Sequence, residues 1–206
     1  MKIELKIAIA AAFILALIYT ADKYFEKQKV YEYDFRKTRW GMTIDEVKAT
    51  EDAEPSWEFS SGNFHVLRYD VVMADMNATC SYDFMYGKLW SAGYSFDTEH
   101  KDKNLYIADY EKIKALLSKE YGQPDKDYHV WKNDLYKDNP EAYGTAISLD
   151  HLTLFTYWNK RSTTIGLMLS GHNSKAGVSV HFTPTNVDFL SGGKQAMESA
   201  SEGDNE

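Results

Sequence analysis

Apolar and polar positions alternate one for one over three stretches in the first half of the chain. His65, Leu67, Tyr69 and Val71 occupy every second position of the first stretch; Cys80, Tyr82 and Phe84 of the second; Trp90, Ala92, Tyr94 and Phe96 of the third. Period two puts such residues on one face of a strand, so these stretches predict half-buried antiparallel strands. Each strand would turn one face to a helix layer and the other to water or to a partner. Gly87-Lys88 predicts a hairpin between the second and third stretches. Asp83 falls on the polar side, where a solvated carboxylate belongs. The second half does the same with Leu152, Leu154, Thr156 and Trp158, then Ile165, Leu167 and Leu169, then Val178, Val180 and Phe182. Ser170 to Lys175 predicts the hairpin loop between the last two, and Tyr128, Val130 and Trp131 suggest one further short strand.

A different period governs Tyr106, Tyr110, Ile113, Leu116, Leu117 and Tyr121. They recur at three- and four-residue spacing with Lys112, Lys114, Lys119 and Glu120 opposite, which predicts an amphipathic helix. Gly122 and Pro124 end it. A shorter helix begins at Thr43, three residues before Glu46: the hydroxyl can accept the Glu46 N–H while the carboxylate reaches back to the N–H of Thr43. Trp40 precedes it as an apolar plug, Gly41 permits a sharp turn, and Ile44 and Val47 form its inner face. Asn139-Pro140 resembles a third helix start, weakened by Gly144. Ser60 to Asn63 is a turn cluster. The expectation is an α+β domain over 39–184, made of two helix-plus-antiparallel-meander units in tandem, about 39–97 and 104–184.

The ends follow other rules. Lys2 and Lys6 precede an unbroken apolar run from Ile7 to Ala21, roughly 15 residues against the ~20 of a comfortable membrane span. Residues 1–21 therefore read as a signal-type segment or uncleaved membrane anchor. Tyr19 spoils a cleavage site after Ala21, and the lysines orient the N-terminus to the cytoplasm. The expected location is the inner membrane, single-pass, with the domain outside; the alternative is secretion after cleavage. Residues 22–38, with Tyr24 and Phe25, read as a juxtamembrane linker, and 185–206 as a disordered acidic tail.

Charge and chemistry narrow the function. A net charge of -8 without a basic aromatic cluster argues against nucleic acid. One cysteine, Cys80, excludes an internal disulfide, and its place on an apolar strand face predicts an inert thiol. No histidine pair among His65, His100, His129, His151, His172 and His181 has metal-ligand spacing, although His129, His151 and His181 could converge in the fold. No nucleophile elbow or phosphate loop is present. The sequence names no catalytic residue, cofactor or metal. The aromatic stock stands out: Tyr82, Tyr86, Trp90, Tyr94, Tyr157 and Trp158 are either core or a partner face.

Gly41-Met42-Thr43 with Glu46-Val47 resembles the GMT-x-x-E-V helix start of the BamE (SmpA/OmlA) family of bacterial envelope proteins. Tyr121-Gly122-Gln123-Pro124 is similar to the G-x-P that closes a helix there, and the tandem order resembles β-lactamase inhibitor proteins. Element order extends the likeness to 40–184. The chain departs from the family in lacking a lipobox cysteine and in its N-terminal anchor, which leaves outer-membrane placement unsupported. The resemblance implies an envelope domain that binds protein through a sheet face, with no catalytic residue to carry over. The expected function is thus a non-catalytic, membrane-anchored protein-binding domain. The alternatives are a periplasmic immunity or inhibitor protein, and a small-ligand binder or hydrolase with a site between sheet and helices. In every case Trp40, Gly41, Thr43 and Glu46 are scaffold.

Overall fold

A computed structural model describes residues 12–21, 24–25 and 31–195. The expected strands form, and their turns explain how tightly. β2 (Phe64–Met73), β3 (Met76–Met85) and β4 (Lys88–Phe96) are joined by Ala74-Asp75 and Tyr86-Gly87; β7 (Thr163–His172) and β8 (Lys175–Pro184) by Asn173-Ser174. Both residues of each pair have positive φ, between 51° and 70°. That is the type I′ geometry whose twist matches the flanking strands. The first link is therefore Tyr86-Gly87 rather than Gly87-Lys88. The last is two residues rather than 170–175, with both strands running through the polar stretch.

β1 (Trp57–Ser61) is an additional strand, closed onto β2 through Gly62-Asn63. β5 (Lys126–Trp131) and β6 (Leu152–Asn159) complete the set. All eight strands make one antiparallel sheet in the order β1-β2-β3-β4-β8-β7-β6-β5. Two four-stranded runs thus meet where β4 pairs with β8, Tyr94 opposite Val180.

The helices lie on one face. α1 (Ile44–Lys48) carries the capping box that its spacing predicts, α2 (Leu105–Tyr121) buries Tyr106, Tyr110, Ile113 and Leu117, and α3 (Tyr143–Ser148) buries Ala146 and Ile147. Against them the strands bury Leu67, Tyr69, Cys80, Tyr82, Phe84, Val180, Ile165, Leu167, Leu154 and Trp158. A polar line fixes α2 to the sheet: Tyr110 Oη lies 2.6 Å from Thr156 Oγ1, which donates to Asp127 at 2.8 Å, while Lys114 reaches Asp127 at 3.0 Å. Asn139-Pro140 opens a 3₁₀ turn, Pro140–Ala142, ahead of α3.

The boundaries differ from expectation at both ends. Within 22–38, residues 31–38 belong to the domain. Phe35 is 2% exposed, with its ring 5.4, 5.2 and 4.9 Å from those of Tyr82, Tyr94 and Phe182. At the other end 189–195 are helical, where disorder was expected, and Phe189 packs over Gly41. Residues 1–11, 22–23, 26–30 and 196–206 lie outside the described residues, and with them part of the expected anchor, of the linker and of the tail. Residues 12–21 are helical with their side chains exposed; among the described residues no helix is long and apolar enough to cross a membrane.

The scaffold stretch has a further role. Gly41 N–H donates to the Leu89 carbonyl at 2.9 Å and Leu89 N–H to that of Met42 at 2.8 Å, while Trp40 Nε1 donates to Thr163 Oγ1 at 2.9 Å. The segment ties the start of β4 to the start of β7, across the seam between the two strand runs.

Candidate binding face

With the helices on one side, the other side of the sheet has no covering layer among the described residues. Strand register sets what it displays. One row crosses as Trp57, Arg68, Ser81, Gly93, His181, Gly166, Tyr157 and Lys126. The next crosses as Asp70, Thr79, Ser95, Ser179, Met168, Phe155 and Tyr128. Small residues, with His181 among them, thus form a floor over β3, β4 and β8, and large rings stand at the flanks.

Each flank is preorganised. On the β1 side the Trp57 and Phe59 rings stack at 5.7 Å and 11°, with the Arg68 guanidinium 4.4 Å over Trp57. Trp57 is 43% and Phe59 46% exposed. On the β5–β6 side Tyr157 lies 6.1 Å from both Tyr128 and Phe155. Gly166 leaves room for Phe155, whose Cε2 would stand 3.3 Å from an added Cβ.

At the floor of this face is a depression of about 170 Å³ lined by Arg68, Ser81, Asp83, Ser91, Gly93 and His181. Asp83 is on the polar side, as its register predicts, but half-buried rather than freely solvated. Burial pushes its carboxyl pKa up, against the opposing pull of the Ser91 hydroxyl and of the His181 and Arg68 charges. The β3–β4 register shifts beside Asp83, so Trp90 is an extra residue of β4. Its Nε1 is buried without a hydrogen-bond partner.

His181 Nε2 is 3.1 Å from Ser179 Oγ, and Asp83 is on the far side of Gly93. His129 packs on Tyr143, His151 on Tyr136 and His181 on the open face, so the three do not converge. No group of potential metal ligands occurs among the described residues.

The six aromatic candidates separate by parity. Tyr82 and Trp158 are fully buried on the helix side: the Tyr82 hydroxyl donates to Glu51, and Trp158 Nε1 donates to the Gly122 carbonyl at 2.9 Å. Tyr94 is on the same side against Phe35. These three are core, because their strand positions point to the helices. Tyr86 is in a turn, Trp90 in the bulge and Tyr157 on the open face. Trp57, Phe59, Tyr128 and Phe155 complete the face and are not among the six aromatic candidates read from the sequence. For Phe155 and Tyr157 a signal existed, since they alternate out of phase with Leu154, Thr156 and Trp158. Comparison with protein-family models, with curated proteins and with solved structures finds no match for this chain.

Proposed function

We propose that this chain is a non-catalytic binding module that docks a partner protein on the uncovered face of its sheet. The observation that carries this reading is the pairing of a Ser/Gly floor with pre-stacked aromatic flanks, Trp57/Phe59 on one side and Tyr128/Tyr157 on the other, of which Trp57, Phe59 and Tyr128 are exposed and Tyr157 half-buried. Rigid rings with polar tips give contact area at low entropic cost. The order helix, four strands, helix, one strand, helix, three strands is consistent with the tandem, envelope-type architecture the sequence suggested. The exposed apolar side chains of 12–21 support an export or anchoring role for the N-terminal segment, with the domain on the outer side of the inner membrane.

The test is affinity capture with the full chain in detergent, run beside Trp57→Ser and Tyr157→Ser variants. A partner held by the face is lost at least tenfold in both, with thermal unfolding nearly unchanged. Undiminished recovery of the same partner by both variants overturns the reading. An inhibitor or immunity role is a second reading, favoured by the net charge of -8, which suits masking of a basic cleft. An adjacent toxin or enzyme gene, whose product is neutralised by the purified chain, would select it.

A further inference from the structure

Among the described residues both ends of the sheet are open edges, and they are built differently. β5 starts at Lys126 and runs into Lys132, and lysine on an edge disfavours pairing with another chain. β1 has no lysine or proline, and it pairs with β2 without a bulge from Trp57↔Arg68 to Ser61↔Phe64. All five of its residues are exposed. Its charge, Glu58, is opposite Leu67 on the helix side and is held there by Lys48 at 2.8 Å.

The phase of the hydrogen bonds shows what this edge offers. Tyr86 N–H donates to the Asn63 carbonyl at 2.8 Å, so Phe64 and Met85 are a widely spaced pair, and Phe64 turns its own N–H and C=O to Ser61. By alternation Trp57 and Phe59 also bond to β2, whereas the N–H and C=O groups of Glu58 and Ser60 point away from the sheet. Beside these groups, on the open face, stand the exposed Trp57 and Phe59 rings.

A second β1 matches this edge in one register. In antiparallel pairing about Phe59, Glu58 of each copy is opposite Ser60 of the other, and every outward N–H and C=O of both residues is satisfied. Trp57 falls opposite Ser61 of the second copy, a large side chain against a small one. The two Phe59 rings meet in a widely spaced pair, where side chains are closest. Pairing about Glu58 instead sets two carboxylates face to face and calls on Ser56 N–H, already given to the Arg68 carbonyl at 2.8 Å. Pairing about Ser60 runs Glu58 against Gly62, inside the turn.

Going beyond the docking reading, we propose that β1 is a self-association edge: two copies of this chain pair antiparallel about Phe59, and their sheets join into one surface with both Trp57/Phe59 stacks at its middle. An edge of five residues buries less than the roughly 1,200 Å² of a stable interface, so the pair is reversible.

In a widely spaced pair the Cα atoms are about 4.5 Å apart, within reach of a disulfide. The full chain in detergent micelles is therefore prepared as Phe59→Cys, Trp57→Cys, Ser61→Cys and Tyr128→Cys, with the buried Cys80 left in place, and oxidised mildly. Phe59→Cys should form a disulfide dimer at least tenfold faster than Tyr128→Cys, on the other edge. Trp57→Cys and Ser61→Cys should cross-link when mixed and not alone. Ser60→Pro, which removes an outward N–H, should weaken self-association at least tenfold by sedimentation, with thermal unfolding nearly unchanged; Phe59→Lys replaces it if proline disturbs the hairpin. Equal rates for Phe59→Cys and Tyr128→Cys, or sedimentation unchanged in both edge variants, overturns the proposal. So does cross-linking of Phe59→Cys in native membranes to another protein in place of its own copy, which would give the edge to a foreign strand. Since no partner is present in the purified assays, their failure leaves the docking reading to capture with Tyr157→Ser.

Discussion

Arg36 and Glu51 are joined by a two-pronged ion pair, Nε to Oε1 at 3.0 Å and Nη2 to Oε2 at 2.8 Å. Glu51 is largely buried and also accepts the Tyr82 hydroxyl, so one carboxylate ties the segment before Trp40 to the core of β3. Arg36 is held at a φ of 49°, a conformation that costs a non-glycine residue about 1 kcal/mol. Glu51→Ala leaves a buried hydroxyl and a half-buried guanidinium unsatisfied, and should cost about 2 kcal/mol. Tyr82→Phe removes one bond and should cost about 1 kcal/mol. Urea midpoints measure both, and a loss for Glu51→Ala no larger than for an exposed carboxylate such as Asp52 would refute the tether.

Alkaline pH should unfold the protein early. Burial pushes Cys80 from 9.0 to about 12 and both Tyr69 and Tyr94 from 10.0 to about 12, and it raises Tyr82, Tyr110 and Tyr121 as well. The folded state keeps protons that the unfolded chain releases from pH 9 upward. Stability is therefore fully present below pH 9 and falls as pH rises toward 12. The urea midpoint should drop steadily over that range, with the tyrosinate absorbance of the buried Tyr69, Tyr82 and Tyr110 appearing with unfolding and not before it. Cys80, fully buried, should resist iodoacetamide until the chain unfolds.

Gly144 should not tolerate a side chain. An added Cβ would meet the Lys103 carbonyl carbon at 2.3 Å and its oxygen at 2.4 Å, where α3 crosses the start of α2. Asn104 makes that crossing specific, accepting the Gly144 N–H at 3.0 Å and donating to the Glu141 carbonyl at 2.8 Å. Gly144→Ala should lower stability by about 2 kcal/mol through overpacking. Gly177→Ala, with nothing within 4 Å, is the control and should shift it by no more than about 0.5 kcal/mol. Equal thermal midpoints for the two variants would contradict the crossing.

Thr43→Ala should cost about 1 kcal/mol, since it removes the hydroxyl that accepts the Glu46 N–H at 3.3 Å. The Glu46 carboxylate, pulled below its ordinary pKa by the Thr43 backbone N–H and hydroxyl, would lose one of those donors. Partner capture by the folded variant should be unchanged, because α1 is on the helix side of the sheet. A capture defect at full stability would assign this stretch a contact role.

Local pattern determined much of this protein. Period-two alternation located β2, β3, β4, β6, β7 and β8, three- and four-residue spacing located α2, and Thr43–Glu46 located the cap of α1, because each depends on neighbours within a few residues. β1 escaped because its alternation, Trp57-Glu58-Phe59-Ser60, is only four residues long, at the lower limit of a strand signal. Residues 31–38 escaped because Phe35 and Arg36 find their partners only at Tyr82 and Glu51, across the fold. The candidate face was legible only as a surplus of aromatics. Tyr82, Tyr94 and Trp158 share composition with Tyr157, yet they go to the core while Tyr157 goes to the surface. That division is set by which side of the sheet the helices cover, and by the pairing of β4 with β8 that turns two strand runs into one continuous surface. Both are long-range contacts, whose physical cause lies in packing between segments rather than in any one of them.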